Sequence, residues 1–268
     1  RERYDAVVDA YGVMRSLLLC SALRAPKKIR IAKNEIEKFL LIAAKVNVYR
    51  RAATQSSRYE MLVAGLGVQP DGGRVEMPLP PSAAEAAETI LTRSTPQGAR
   101  YVAFAPGARG NTKMWPREHY AELMRRTGQR GFAAILIGGS EDLERNAAIA
   151  EAVSPAPLDL TGRLSILESA AVLKRCAALV TIDSAPLHLA ESVGTPVVAF
   201  FGPTVREFGY FPRLPRSRAL EVSLRCRPCS RNGARRCPYG TKECLAAIPP
   251  ERAMEELAPL LDDREVRA

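Results

Sequence analysis

No stretch of the chain reaches the roughly 18–20 consecutive apolar residues that a transmembrane helix needs: Leu17–Cys20 is short, and Phe39–Val48 is interrupted by Lys45. The opening Arg-Glu-Arg-Tyr-Asp lacks the pattern of a secretory signal, so the expectation is a cytoplasmic protein. No serine sits in a Gly-x-Ser-x-Gly elbow, which argues against a Ser/His/Asp hydrolase, and no loop ends in the Gly-Lys-Ser/Thr of a Walker A motif. No internal repeat stands out. Histidine is scarce, with two copies, His119 and His188. Acidic residues are outnumbered, 29 against 39 Lys+Arg, for a formal charge of +10. That balance suits an anionic partner such as a nucleotide, a nucleic acid or an acidic membrane surface; a solvated basic surface is the plainer alternative.

What is present describes a globular α/β protein. At 268 residues and 47% hydrophobic composition, the chain suits one large or two medium domains with a buried core. Tyr4–Asp9 reads as a strand, Met14–Leu23 as a helix and 26–31 as a second, parallel strand; Asn34–Tyr49 and Ser57–Leu66 read as amphipathic helices. Their basic residues Lys33, Lys38, Lys45, Arg50, Arg51 and Arg58 are expected mostly outward, as a solvated face or against an acidic ligand. Val68–Arg100 reads as the boundary, with Gln-Pro-Asp-Gly-Gly and Pro-Leu-Pro-Pro-Ser as breakers and Ala83–Arg93 as an ordinary helix, giving domains 1–95 and 96–268. From Tyr101 onward strands and helices alternate, which implies a parallel, doubly wound sheet.

The second half is organised around 176–204. Ala178–Ile182 reads as a buried strand, Asp183-Ser184 as a cap, Pro186–Val193 as a helix, Val197–Phe201 as a strand and Gly202-Pro203-Thr204 as a turn. Ligands of open α/β sheets bind beyond the carboxyl ends of the strands, where helix starts offer N–H groups to anions, so Asp183, Ser184, His188 and Thr204 are expected in one crevice. His188, one turn into a helix, suits a neutral imidazole donating to a phosphate or sugar hydroxyl; a core-facing role is the alternative. His119 reads as structural. Pro106–Pro116 links a strand to a helix with small residues and Lys113, a point charge suited to phosphate, or else is a plain loop with a packed Trp115. Cys226-x2-Cys229-x7-Cys237-x6-Cys244 gathers four of the six cysteines. Tetrahedral zinc is one reading; reduced packing cysteines and a disulfide are the others.

Together Pro106-Gly-Ala-Arg-x3-Lys113-x-Trp-Pro116-x-Glu118-x-Tyr120, Ile137-Gly-Gly139, Asp183-Ser-x3-His188-Leu-Ala190, Gly194-Thr-Pro196 and Phe201-Gly-Pro-Thr204 resemble glycosyltransferase family 9, the ADP-heptose:lipopolysaccharide heptosyltransferases. Tyr4-Asp-x2-Val-Asp9-x2-Gly12-x2-Arg15-Ser16 and Cys226-Arg-Pro-Cys229 extend the resemblance over nearly the whole chain. It implies a GT-B architecture, two Rossmann-like domains with parallel sheets, an acceptor-binding N-terminal domain and a donor-binding C-terminal one. It also implies inverting transfer of a heptose from ADP-heptose to the lipid A–inner core at the inner face of the bacterial inner membrane, without an obligatory cofactor or metal. By matched motif Lys113 and Asp183 would be the catalytic pair, with Lys113 neutralising the departing diphosphate. Gly107, Ala108, Arg109, Leu164, Ser184, Ala185, His188 and Thr204 would bind substrate, with Leu164 on the adenine.

Two features depart from the family pattern. Ala185-Pro186 stands where a glycine usually follows the Asp-Ser pair, and the first strand–turn–helix carrying the presumed catalytic base has no counterpart. The expectation is therefore an incomplete N-terminal domain and weak transfer, with Asp9 serving local structure rather than as the base. The rival readings are a GT-B enzyme using a UDP- or GDP-sugar and a zinc-containing nucleic-acid binder; no helix-turn-helix or RNA-recognition motif supports the latter.

Overall fold

The computed structural model describes residues 3–50 and 53–262; Arg51 lies outside them. The chain divides into two compact units, residues up to Gly73 with Val205–Tyr210, and Arg74–Thr204 with the chain from Phe211 onward.

In the first unit, β1 (Ala6–Asp9) runs into α1 (Met14–Ala22) and returns as β2 (Lys27–Arg30), followed by α2 (Glu35–Ala43) and α3 (Gln55–Ala64). β1 and β2 pair in parallel, Ala6 opposite Lys27 and Asp9 opposite Arg30. Asp9 fixes the turn between them. Its carboxylate accepts from the Tyr11 and Gly12 N–H groups (3.1 and 2.8 Å) and the Ser16 hydroxyl (2.9 Å), and pairs with Arg30 at 3.4 Å. Burial pushes this carboxyl up, but the Gly12, Ser16 and Tyr11 donors and the Arg30 charge together hold it below its ordinary value. Gly12 is required at the turn, since its φ is +61° and a Cβ there would meet Ile31 Cγ2 at 2.7 Å. The helix anticipated over Asn34–Tyr49 stops at Ala43, because Lys45 takes the left-handed region at φ 59° and the Ala44 and Val46 N–H groups both fold back onto the Leu40 carbonyl. Thr54 caps α3 by accepting from Ser57 N–H.

In the second unit the order is α4 (Pro81–Ser94), β3 (Arg100–Ala105), α5 (Arg117–Gln129), β4 (Phe132–Leu136), α6 (Leu143–Glu151), β5 (Leu158–Asp159), α7 (Ile166–Lys174), β6 (Cys176–Ile182), α8 (Ala185–Ser192), β7 (Val197–Phe201), β8 (Arg218–Glu221), α9 (Glu243–Ala246) and α10 (Pro250–Asp262). The six strands form one parallel sheet ordered β5-β4-β3-β6-β7-β8. Strands added after β3 go to one side and those after β6 to the other, so the direction of winding reverses between β3 and β6. Alternate residues feed the two faces: Val102, Phe104, Val180, Ile182, Val198 and Phe200 pack in one core, and Ala103, Ala105, Leu179, Val197, Ala199 and Phe201 in the other. Trp115 anchors the first core, stacked on Phe200 at 4.1 Å with its indole N–H donating to the Ile248 carbonyl. The helix α4, placed before residue 95 in the sequence reading, belongs to this unit: Ala83, Ala87 and Leu91, four residues apart on one face, are buried in the second core beside α7. Among the described residues no helix is long and apolar enough to cross a membrane.

Candidate functional site

Three loops leave the carboxyl ends of adjacent central strands and meet where the winding reverses, the place at which such sheets bind ligands. From β3 the chain passes Pro106–Gly110 into a single 3-10 turn, Asn111–Lys113. From β6 it passes Asp183-Ser184 into α8, and from β7 it turns at Gly202-Pro203-Thr204. Lys113 Nζ lies 2.7 Å from Asp183 Oδ2 and 3.0 Å from the Asp183 carbonyl, and Thr204 Oγ1 donates to the same Oδ2 at 2.7 Å. The pair is largely withdrawn from water, with side chains 12% and 7% exposed. A cation so held by one carboxylate and one carbonyl is preorganised for a second anion that approaches from the open side.

The start of α8 differs from the sequence expectation. Ser184 takes the N-cap position with extended backbone (φ −149°, ψ 172°), but its side chain makes no capping bond; Oγ lies 3.4 Å from Thr181 Oγ1 and the Ile182 carbonyl. Asp183 spends its carboxylate on Lys113 and Thr204, so neither side chain caps the helix and its positive end faces the crevice. Ala185 is the first helical residue, with no positive φ, so glycine is not needed there. His188 lies one turn on and is exposed. Desolvation chiefly lowers its pKa and the Lys113 charge adds to this, against the raising effect of Asp183 and Glu191, so the neutral imidazole is favoured.

Gly107 is buried and close-packed: a Cβ would collide with the Asp142 carboxylate. Ala108 packs partly on the first core and Arg109 is exposed on the same loop. Leu164 packs against the second core. Its loop is fixed by a buried network in which Asn146 Nδ2 donates to Thr161 Oγ1 (2.7 Å) and Thr161 Oγ1 to Asp159 (2.6 Å). Asp142, at the end of the 3-10 turn after β4, went unnoticed in the sequence. Burial raises its pKa, aided by Glu141, while the Gly139 N–H and Arg145 pull it down. Only the Gly-Gly preceding it hinted at the close approach.

The four clustered cysteines line one cavity of about 370 Å³ with Thr112, Pro203 and Arg227. None of the four is in a disulfide. Burial, with the neighbouring Cys229, Cys226 and Cys237, pushes Cys244 up to about 11. Cys237 moves the other way: burial raises it, but N–H groups of Lys242, Tyr239, Gly240 and Thr241 stabilise the thiolate more. The thiols share the cavity without converging, and among the described residues no three His, Cys, Asp or Glu side chains are placed to hold a metal ion.

A family model for glycosyltransferase family 9 (heptosyltransferase) matches residues 1–241. Lipooligosaccharide heptosyltransferase 2 of Haemophilus influenzae is 32% identical over 170 residues, covering 60% of this chain and 47% of its own. The chain spans about half the length of the first such relatives it matches. Among solved structures, a glycosyl transferase of family 9 from Veillonella parvula superposes with a TM-score of 0.72 at 21% identity, over 97% of this chain and 74% of that one. Escherichia coli heptosyltransferase WaaC with ADP-2-deoxy-2-fluoro heptose gives 0.61 at 20% identity, over 96% and 73%.

Proposed function

The chain belongs to glycosyltransferase family 9 (heptosyltransferase), and we propose that it transfers a heptose from ADP-heptose to the lipid A–inner core of lipopolysaccharide. The observation that carries this reading is the Lys113–Asp183–Thr204 cluster beside the uncapped start of α8 at the switch point of the sheet. Breaking the bond between the sugar and the diphosphate leaves negative charge on the leaving group. The Lys113 ammonium and the positive end of α8 meet that charge as it develops, which is where preorganised donors accelerate a reaction. This supports transfer without an obligatory metal. Asp183 orients Lys113, and the neutral His188 ring and the Ser184 hydroxyl are placed to donate to phosphate or sugar. Gly107, Ala108 and Arg109 form the loop beside the diphosphate, Ala185 opens the helix above it, and Leu164 offers an apolar surface to the adenine. A similar protein solved with an ADP-heptose analogue supports the choice of nucleotide.

The first unit is proposed to receive the acceptor. Arg58 is buried there, and its Nε and Nη2 have no hydrogen-bond partner among the described residues, which suits an anionic group on the acceptor. With the charge of +10 this fits an acidic lipid A–core at the cytoplasmic membrane surface. Incubation of the protein with ADP-heptose and a heptose-free lipopolysaccharide core tests the reading. ADP release matched by a gain of one heptose on the core is expected; reaction only with a UDP- or GDP-sugar would overturn the donor assignment.

A further inference from the structure

We propose that Arg227 is a positioning residue for the donor site, holding the β7 turn so that Thr204 keeps Asp183 against Lys113; this rests on the donor-site reading above. The two members of the ion pair come from loops after β3 and β6, and Thr204 from the loop after β7. Sheet hydrogen bonds fix the strands but not these loop tips. The segment after β8 does. The Arg227 side chain is 6% exposed and donates to the carbonyls of Gly202 (2.5 Å), Val222 (2.6 Å) and Thr204 (3.0 Å) and to the Glu221 carboxylate (2.7 Å). Two of those carbonyls flank Pro203, whose own carbonyl accepts from Cys229 N–H at 3.1 Å. The guanidinium thus encircles the turn that carries Thr204. A few residues on, the same segment secures Lys113. Thr112 N–H donates to the Ala234 carbonyl (3.0 Å), Ala234 N–H donates back to Thr112 Oγ1 (2.7 Å), and Gly233 lies so close that a Cβ would meet Lys113 Cγ at 2.9 Å. One segment therefore ties the loop that bears Lys113 to the turn that bears Thr204, the two partners of the Asp183 carboxylate. Lysine at 227 cannot replace the arginine fully, because a single ammonium cannot span acceptors arranged around a planar fork.

The test compares wild type with Arg227→Met, Arg227→Lys and Thr112→Val. ADP affinity is read by calorimetry and amide hydrogen exchange at Gly202, Thr204, Thr112 and Lys113 without nucleotide, at a temperature where unfolding curves show each variant folded. Arg227→Met is expected to speed exchange at these amides and to weaken ADP binding about tenfold. Arg227→Lys falls between it and wild type, and Thr112→Val gives a smaller loss. Should Arg227→Met not fold, Arg227→Lys and Thr112→Val carry the same readouts. Wild-type exchange and wild-type ADP affinity in a folded Arg227 variant would overturn the proposal. If exchange responds while the wild-type protein binds no ADP, the positioning role stands and the donor reading falls.

Discussion

All five residues of β7 in the second unit are buried, and Phe200 and Phe201 are fully so, whereas α1 in the first unit buries none of its nine. Met14, Leu18 and Leu19 on that helix are 70%, 63% and 64% exposed. Composition does not explain the contrast, since both segments are apolar. Sheet size does: six parallel strands can be covered on both faces by helices, while a two-stranded sheet offers a helix too little surface to lie on. In the second unit the loops carried on the six-stranded sheet hold the Lys113–Asp183 pair largely out of water.

That comparison can be broken most directly at Phe200. Phe200→Ala, which removes the partner of Trp115, is expected to cost about 3–5 kcal/mol in urea unfolding. The buried pair comes next. Lys113→Met leaves the Asp183 carboxylate uncompensated and is expected to destabilise by about 3 kcal/mol, with much of it recovered in Lys113→Met/Asp183→Asn. Recovery of nothing would mean that the pair is not coupled. Gly107→Ala forces the Asp142 carboxylate away from its Gly139 N–H, costing about 1 kcal/mol, and shortening the side chain in Asp142→Ser should relieve the collision. In the first unit Leu18→Ala is expected to change stability by no more than about 0.5 kcal/mol; a core-sized loss would show that α1 is packed. The smallest effect concerns His188. Its folded pKa lies below the ordinary value of about 6.5, so its contribution is present above that pH and is lost as pH falls through the lowered folded value. An NMR titration of the ring with a midpoint at or above the ordinary value would contradict this.

The sequence showed the frame of the second unit plainly because buried parallel strands such as Val197–Phe201 are unbroken apolar runs. It hid β8, whose four residues include Arg218 and Glu221, and the membership of α4, which depends on α7, about eighty residues on. At the site, Lys113, Asp183 and Thr204 were each legible as strand-end residues. That they meet on one carboxylate oxygen was not, since the contacts join residues far apart in the chain. The capping role read for Asp183-Ser184 failed because the carboxylate has better partners. Arg227 was overlooked for a different reason: an arginine among cysteines and other arginines reads as a solvated charge, and only its carbonyl acceptors reveal a buried clamp.

The most direct test of the account is calorimetric titration of ADP, UDP and GDP into wild type and Lys113→Ala, at a temperature where both are folded. The account predicts that wild type binds ADP in preference to the other two and that Lys113→Ala loses at least tenfold in affinity, about 1.4 kcal/mol. Equal affinity in the two proteins, or binding of none of the three nucleotides, would contradict it.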